Sequence, residues 1–200
     1  MIEDLQLKQE IVSITQKLKV EDIIPYYMSD PGLPATHKFW QTVFLGTLPK
    51  NGGFYTSETL SCFWVDHKNE CLSNSLTQKH KEILLLIGLL NLYYEVDMME
   101  EELGCILEAI INSKISTFVK VFNRYCDFEH TEALVNFIYQ SSIGESPNFN
   151  ELINKSDTGW GCLFFDRYPG DAWLRLLERF FPKDNEYTSY IIDEIKKYKN

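Results

Sequence analysis

Two hundred residues with 19 Lys/Arg against 29 Asp/Glu give a net charge of −10 and a pI near 4.9. Such a surface repels nucleic acid, whose binding needs phosphates neutralised by basic side chains. An apolar fraction of 44% with 14% aromatics excludes a disordered chain. One domain over residues 1–200 is expected, and a chain of this length buries roughly 70% of its unfolded surface without a disulfide or metal. The charge is spread evenly: residues 1–100 carry 8 Lys/Arg against 13 Asp/Glu and residues 101–200 carry 11 against 16, so each half is −5. This pattern suits the electrostatic capture of a basic protein partner, and it also keeps a protein soluble.

The chain starts MIEDLQLKQE, polar and acidic, without the basic and apolar regions of a signal peptide. A cytoplasmic protein is therefore expected, with its five cysteines (Cys62, Cys71, Cys105, Cys126 and Cys162) reduced and mostly buried. Leu7, Ile11, Ile14 and Leu18 fall at helical spacing and predict a first amphipathic helix. A second, over 20–28, carries Ile23 and Ile24 before Pro25 disrupts it. SDPGLP at 29–34 reads as a turn, and a helix from Ala35 to Leu48 follows, with Phe39, Trp40, Val43 and Phe44 apolar. PKNGG at 49–53 ends that helix.

Residues 54–67 permit strand or helix, and Leu60, Phe63 and Trp64 on one face favour helix. Thr77 is placed to cap a helix through ILLLIGLLNLYY at 83–94. That run is apolar almost all round, which predicts a central position, and it falls short of the ~20 residues that span a bilayer. Asp97 and Glu100 give a D-x-x-E start to a helix bearing Met99, Leu103, Ile106, Leu107 and Ile110. The pattern resumes at Ile115, Phe118, Val119 and Phe122, then at Leu134, Phe137 and Ile138 before GESPN at 144–148. Trp173, Leu174, Leu177, Phe180 and Phe181 make a strong stripe stopped by Pro182. The last helix carries Tyr187, Ile191, Ile195 and Tyr198. The expectation is an all-α domain of about ten helices packed as antiparallel pairs through short loops, with at most one short strand near 160–166. Paired helices of this length are compatible with HEAT-like stacking, although no residue signature recurs at a fixed period.

Three stretches are candidates for chemistry. SDTGWGC at 156–162 resembles the nucleophile segment of the autophagy-related cysteine peptidases, and the resemblance implies Cys162 as nucleophile. It covers seven residues. No histidine follows His130 to serve as the base a thiol needs, and LFF comes next where a helix would be required. A structural corner that seats Trp160 and Trp173 between glycine and proline turns explains the same residues, with Asp171 setting the start of the next helix. Cys62, His67, Cys71 and His80 are zinc-competent types, yet their C-x4-H-x3-C-x8-H spacing lacks a paired knuckle. Neither metal nor cofactor is expected.

The third stretch is EVDMMEEE, where Glu95, Asp97, Glu100, Glu101 and Glu102 put five carboxylates into eight residues, with Glu108 beyond. Helix-dipole stabilisation accounts for some of these charges. A second group, Asp127, Glu129 and Glu132, sits near another helix junction. These eight residues, Glu108 apart, are the expected partner-binding surface, with Trp40, Tyr93 or Tyr94 as aromatic anchors. P-loop, G-x-G-x-x-G, G-x-S-x-G and H-E-x-x-H patterns do not occur, so a non-catalytic binding module is expected. In size, charge and lack of catalytic motifs the chain resembles the small acidic immunity proteins of bacterial polymorphic-toxin and contact-dependent inhibition systems. That resemblance implies a basic toxin domain as partner, blocked by occlusion, with no role for nucleic acid or membrane. A cysteine-dependent hydrolase using Cys162 and a HEAT-like peptide scaffold are the competing readings.

Overall fold

The computed structural model describes residues 2–27, 33–48, 59–60, 63, 77–94, 96, 100–112, 131–156 and 169–199. Among these residues the chain is all-α, with nine α-helices, one 3-10 helix and no strand. The expected strand near 160–166 lies outside them. Two compact units divide the chain, Met1–Met98 and Met99–Asn200.

The first unit opens with α1 (Ile2–Thr15), whose Leu7, Ile11 and Ile14 are buried together with Leu18 just beyond its end. That is the predicted stripe. α2 (Val20–Ile23) is a single turn, and its Asp22 carboxylate accepts a hydrogen bond from the Lys19 backbone N–H at 2.8 Å. Pro25 disrupts the α-helix as expected, which ends at Ile23. It converts the following turn into a 3-10 helix, Ile24–Tyr27, in which the missing N–H costs less.

α3 (Leu33–Phe44) buries Phe39, Trp40 and Val43. It ends earlier than PKNGG predicts, because Gly46 takes φ +71°. The Gly46 N–H then reaches the Val43 carbonyl and the Thr47 N–H reaches that of Thr42, the paired bonds of a left-handed helix stop. Leu45 is left 81% exposed.

α4 (Gln78–Tyr94) is the centre of this unit, with every residue from Leu85 to Leu92 buried. Thr77 caps it as predicted, its Oγ1 accepting from the His80 N–H at 3.2 Å. α1 packs on both α4 and α3. Thr59, Leu60 and Phe63 have helical backbone and are buried, which settles the ambiguous 54–67 stretch for those three residues. Asp22 also pairs with Lys79 Nζ at 2.7 Å, tying α2 to the start of α4.

The second unit comprises α5 (Glu100–Asn112), α6 (Thr131–Ser142), α7 (Phe149–Ser156), α8 (Asp171–Phe180) and α9 (Glu186–Lys197). α7 is absent from the sequence expectation. Asn148 Oδ1 caps it by accepting from the Asn150 and Glu151 N–H groups, and Leu152 turns inward. Phe137, Phe149 and Phe181 form an aromatic cluster with centroids 4.9–5.6 Å apart, clamping α7 to α6 and to the end of α8.

α8 stops where predicted: Phe181, ahead of Pro182, adopts an extended conformation. Asn185 then caps α9 through the Tyr187 and Thr188 N–H groups. α8 and α9 are antiparallel, as their short loop requires, with Lys199 on Asp171 and Lys196 on Glu178. On α9 the inward stripe is Thr188, Ile191 and Ile195, while Tyr198 is exposed. The four-residue step from Ile191 to Ile195 places Tyr187 and Tyr198 at the margins of that face.

Candidate functional site

The acidic start of α5 was the strongest sequence indication of a docking surface. Successive helical residues point about 100° apart, so Glu100, Glu101 and Glu102 cannot share one face. Glu101 turns toward α8. A Cβ built on Gly170 would lie 2.9 Å from Glu101 Cγ, and Glu101 Oε2 is out of contact with solvent. Gly170 precedes α8 with φ +99°, so this carboxylate sits beside the positive end of the α8 dipole. α8 starts at Asp171 as expected, with Gly170 in the cap position, and Asp171 pairs with Lys199 at 2.7 Å.

Glu102 is half-exposed on a different side of α5. Glu100 is the first residue of α5 and Glu132 the second of α6. Glu95, Asp97, Asp127 and Glu129 lie outside the described residues.

One turn beyond Glu101, Gly104 meets Trp173, with a built Cβ only 2.6 Å from the indole Cδ1. Another turn on, Glu108 and Arg175 form a two-pronged pair: Nε donates to Oε1 at 2.9 Å and Nη2 to Oε2 at 2.5 Å. The Glu108 carboxylate raises the guanidinium pKa further above its ordinary value. At the last turn Arg179 Nη1 donates to Asn112 Oδ1 at 3.1 Å. The contacts climb in the same order on both helices, 101 with 170, 104 with 173, 108 with 175 and 112 with 179, so α5 and α8 run parallel. Two of the carboxylates in this region therefore hold α5 to α8. Those two charges are structural.

The aromatic anchors fare differently. Trp40 is fully buried in α3 and offers no surface to a partner, which corrects that expectation. Tyr93 and Tyr94 are half-buried at the end of α4, their rings edge to face at 5.0 Å. Burial pushes the Tyr94 hydroxyl pKa well above its ordinary value.

Of the zinc-competent set, His80 is described, and its ring meets Tyr26 edge-on at 6.4 Å. Cys62, His67, Cys71 and Cys162 lie outside the described residues. Among the described residues no group of three or more His, Cys, Asp or Glu is placed to hold a metal ion. Nor, among them, is any helix long and apolar enough to cross a membrane.

Gly170 belongs to the turn expected to open α8, whereas Gly104 and Arg175 were not singled out in the sequence. A glycine inside the α5 pattern, where alanine would be the better helix former, was the available signal for a close helix approach. No protein-family model, curated protein or solved structure matches this chain.

Proposed function

We propose that this chain is a non-catalytic acidic protein-binding module, and that it serves as an immunity protein that binds and neutralises a basic toxin domain. The observation that carries this reading is the net charge of −10, divided equally between the two halves of a helical chain. A field of that sign concentrates a cationic partner near the surface and accelerates docking. Occlusion then follows from bulk, without chemistry. Within the acidic segment, Glu100 and Glu102 contribute charge to that field, while Glu101 and Glu108 support the α5–α8 packing.

The test is to read the adjacent genes for a large protein with a basic C-terminal domain and to co-express that domain with this chain. The proposal expects a stable complex and relief of the growth arrest that domain causes. A neighbouring domain that neither binds nor is neutralised removes the proposal.

A further inference from the structure

We infer that the two units are diverged copies of one helical module, so that the chain is a tandem duplication and a partner meets the same framework twice. The units are Met1–Met98 and Met99–Asn200, so the second begins 98 residues after the first. The same shift carries α3 (Leu33–Phe44) onto α6 (Thr131–Ser142) at both ends. It also carries the buried Thr36, Phe39 and Trp40 onto the buried Leu134, Phe137 and Ile138.

The way these two helices end is the most specific part of the match. Gly46 takes φ +71° and Gly144 takes φ +88°. At the first stop the N–H groups of Leu45, Gly46 and Thr47 donate to the carbonyls of Gln41, Val43 and Thr42 at 3.1, 2.9 and 3.2 Å. At the second, those of Ile143, Gly144 and Glu145 donate to Tyr139, Ser141 and Gln140 at 3.2, 3.2 and 3.0 Å. Every donor and every acceptor has moved by 98. Left-handed stops are common, so finding two carries little weight alone. The weight lies in one shift that relates the helix bounds, the buried face, the stop and the exposed apolar residue before it, Leu45 or Ile143.

The first helices agree as well. Buried Leu7, Ile11 and Ile14 of α1 correspond to buried Leu103, Leu107 and Ile110 of α5 at a shift of 96. α1 packs on α3, and α5 packs on α6. The two residues of difference lie in sequence between the first helix and the next, and connections tolerate changes of length at small entropic cost. Little identity advertises the relation: Ala35, Phe39, Gly46 and Pro49 recur as Ala133, Phe137, Gly144 and Pro147. A core keeps its pattern while its apolar side chains change, so burial and backbone conformation outlast identity. The inference uses neither charge nor partner and stands apart from the immunity reading.

The experiment is a scan of all single substitutions in the full chain, read as the folded fraction of each variant. The tolerance profile of residues 33–48 should match that of residues 131–146 best at the shift of 98. That agreement should exceed the one found three or four residues to either side, which helical periodicity alone produces. A Cβ meets ordinary contact at Gly46 and open space at Gly144, which leaves backbone strain as the shared cost. Gly46→Ala and Gly144→Ala should therefore each lower the folding equilibrium constant about tenfold. Equal or better agreement at another shift overturns the inference, and so does alanine tolerated at one of the two glycines.

Discussion

On α4 the carboxamide of Asn91 is fully buried, and neither its Oδ1 nor its Nδ2 has a hydrogen-bond partner among the described residues. Three residues on, the Tyr94 hydroxyl oxygen is likewise enclosed and unbonded among them. A buried polar group left unpaired costs about 1–3 kcal/mol, whereas an apolar group of the same shape does not. Asn91→Leu should therefore stabilise the protein by roughly 1–3 kcal/mol, read from the urea midpoint at constant slope. A loss of stability would show that the amide is satisfied in solution. Nothing in the sequence pattern announced this residue. An asparagine in an apolar run reads as a tolerated interruption, and its burial is evident only once neighbouring helices close over it.

At the scale of the element, the sequence spoke most clearly where one physical cause dominated. The stripe from Leu7 to Leu18 and the Thr77 cap were legible because periodicity and capping are local. α7 was missed although Asn148 and Glu151 stand at capping spacing, because eight residues give too few turns for a stripe. The end of α3 was placed too late because PKNGG is richer in breakers than the lone Gly46 that stops the helix. The parallel pairing of α5 with α8 was out of reach, since it depends on contacts across a long stretch of chain.

That pairing makes a prediction of its own. Alanine is favoured over glycine inside a helix by about 1 kcal/mol. Gly104→Ala should nonetheless destabilise the protein by roughly 1 kcal/mol or more, because the new methyl would meet a fully buried indole that cannot withdraw. Thermal unfolding measures this. A rise in melting temperature would mean that Trp173 moves aside at little cost.

Over the whole molecule, charge is the property that points to function. It was fully readable in the sequence, being a sum over residues that needs no coordinates. Its arrangement was less readable: five acidic residues in eight look like a patch, yet within α5 helical geometry separates successive carboxylates and engages Glu101 with α8. A long-range field survives that dispersal, since it depends on total charge more than on any single carboxylate. Salt weakens it as the screening length shrinks to about 8 Å at physiological ionic strength.

Stopped-flow association with the basic domain that the co-expression test identifies as partner, at low and high ionic strength, addresses the proposal that negative charge recruits it. Added salt should slow the native chain steeply. Glu100→Lys combined with Glu102→Lys should cut the low-salt rate by about tenfold and flatten its salt dependence. A rate indifferent to both salt and charge reversal would contradict the account.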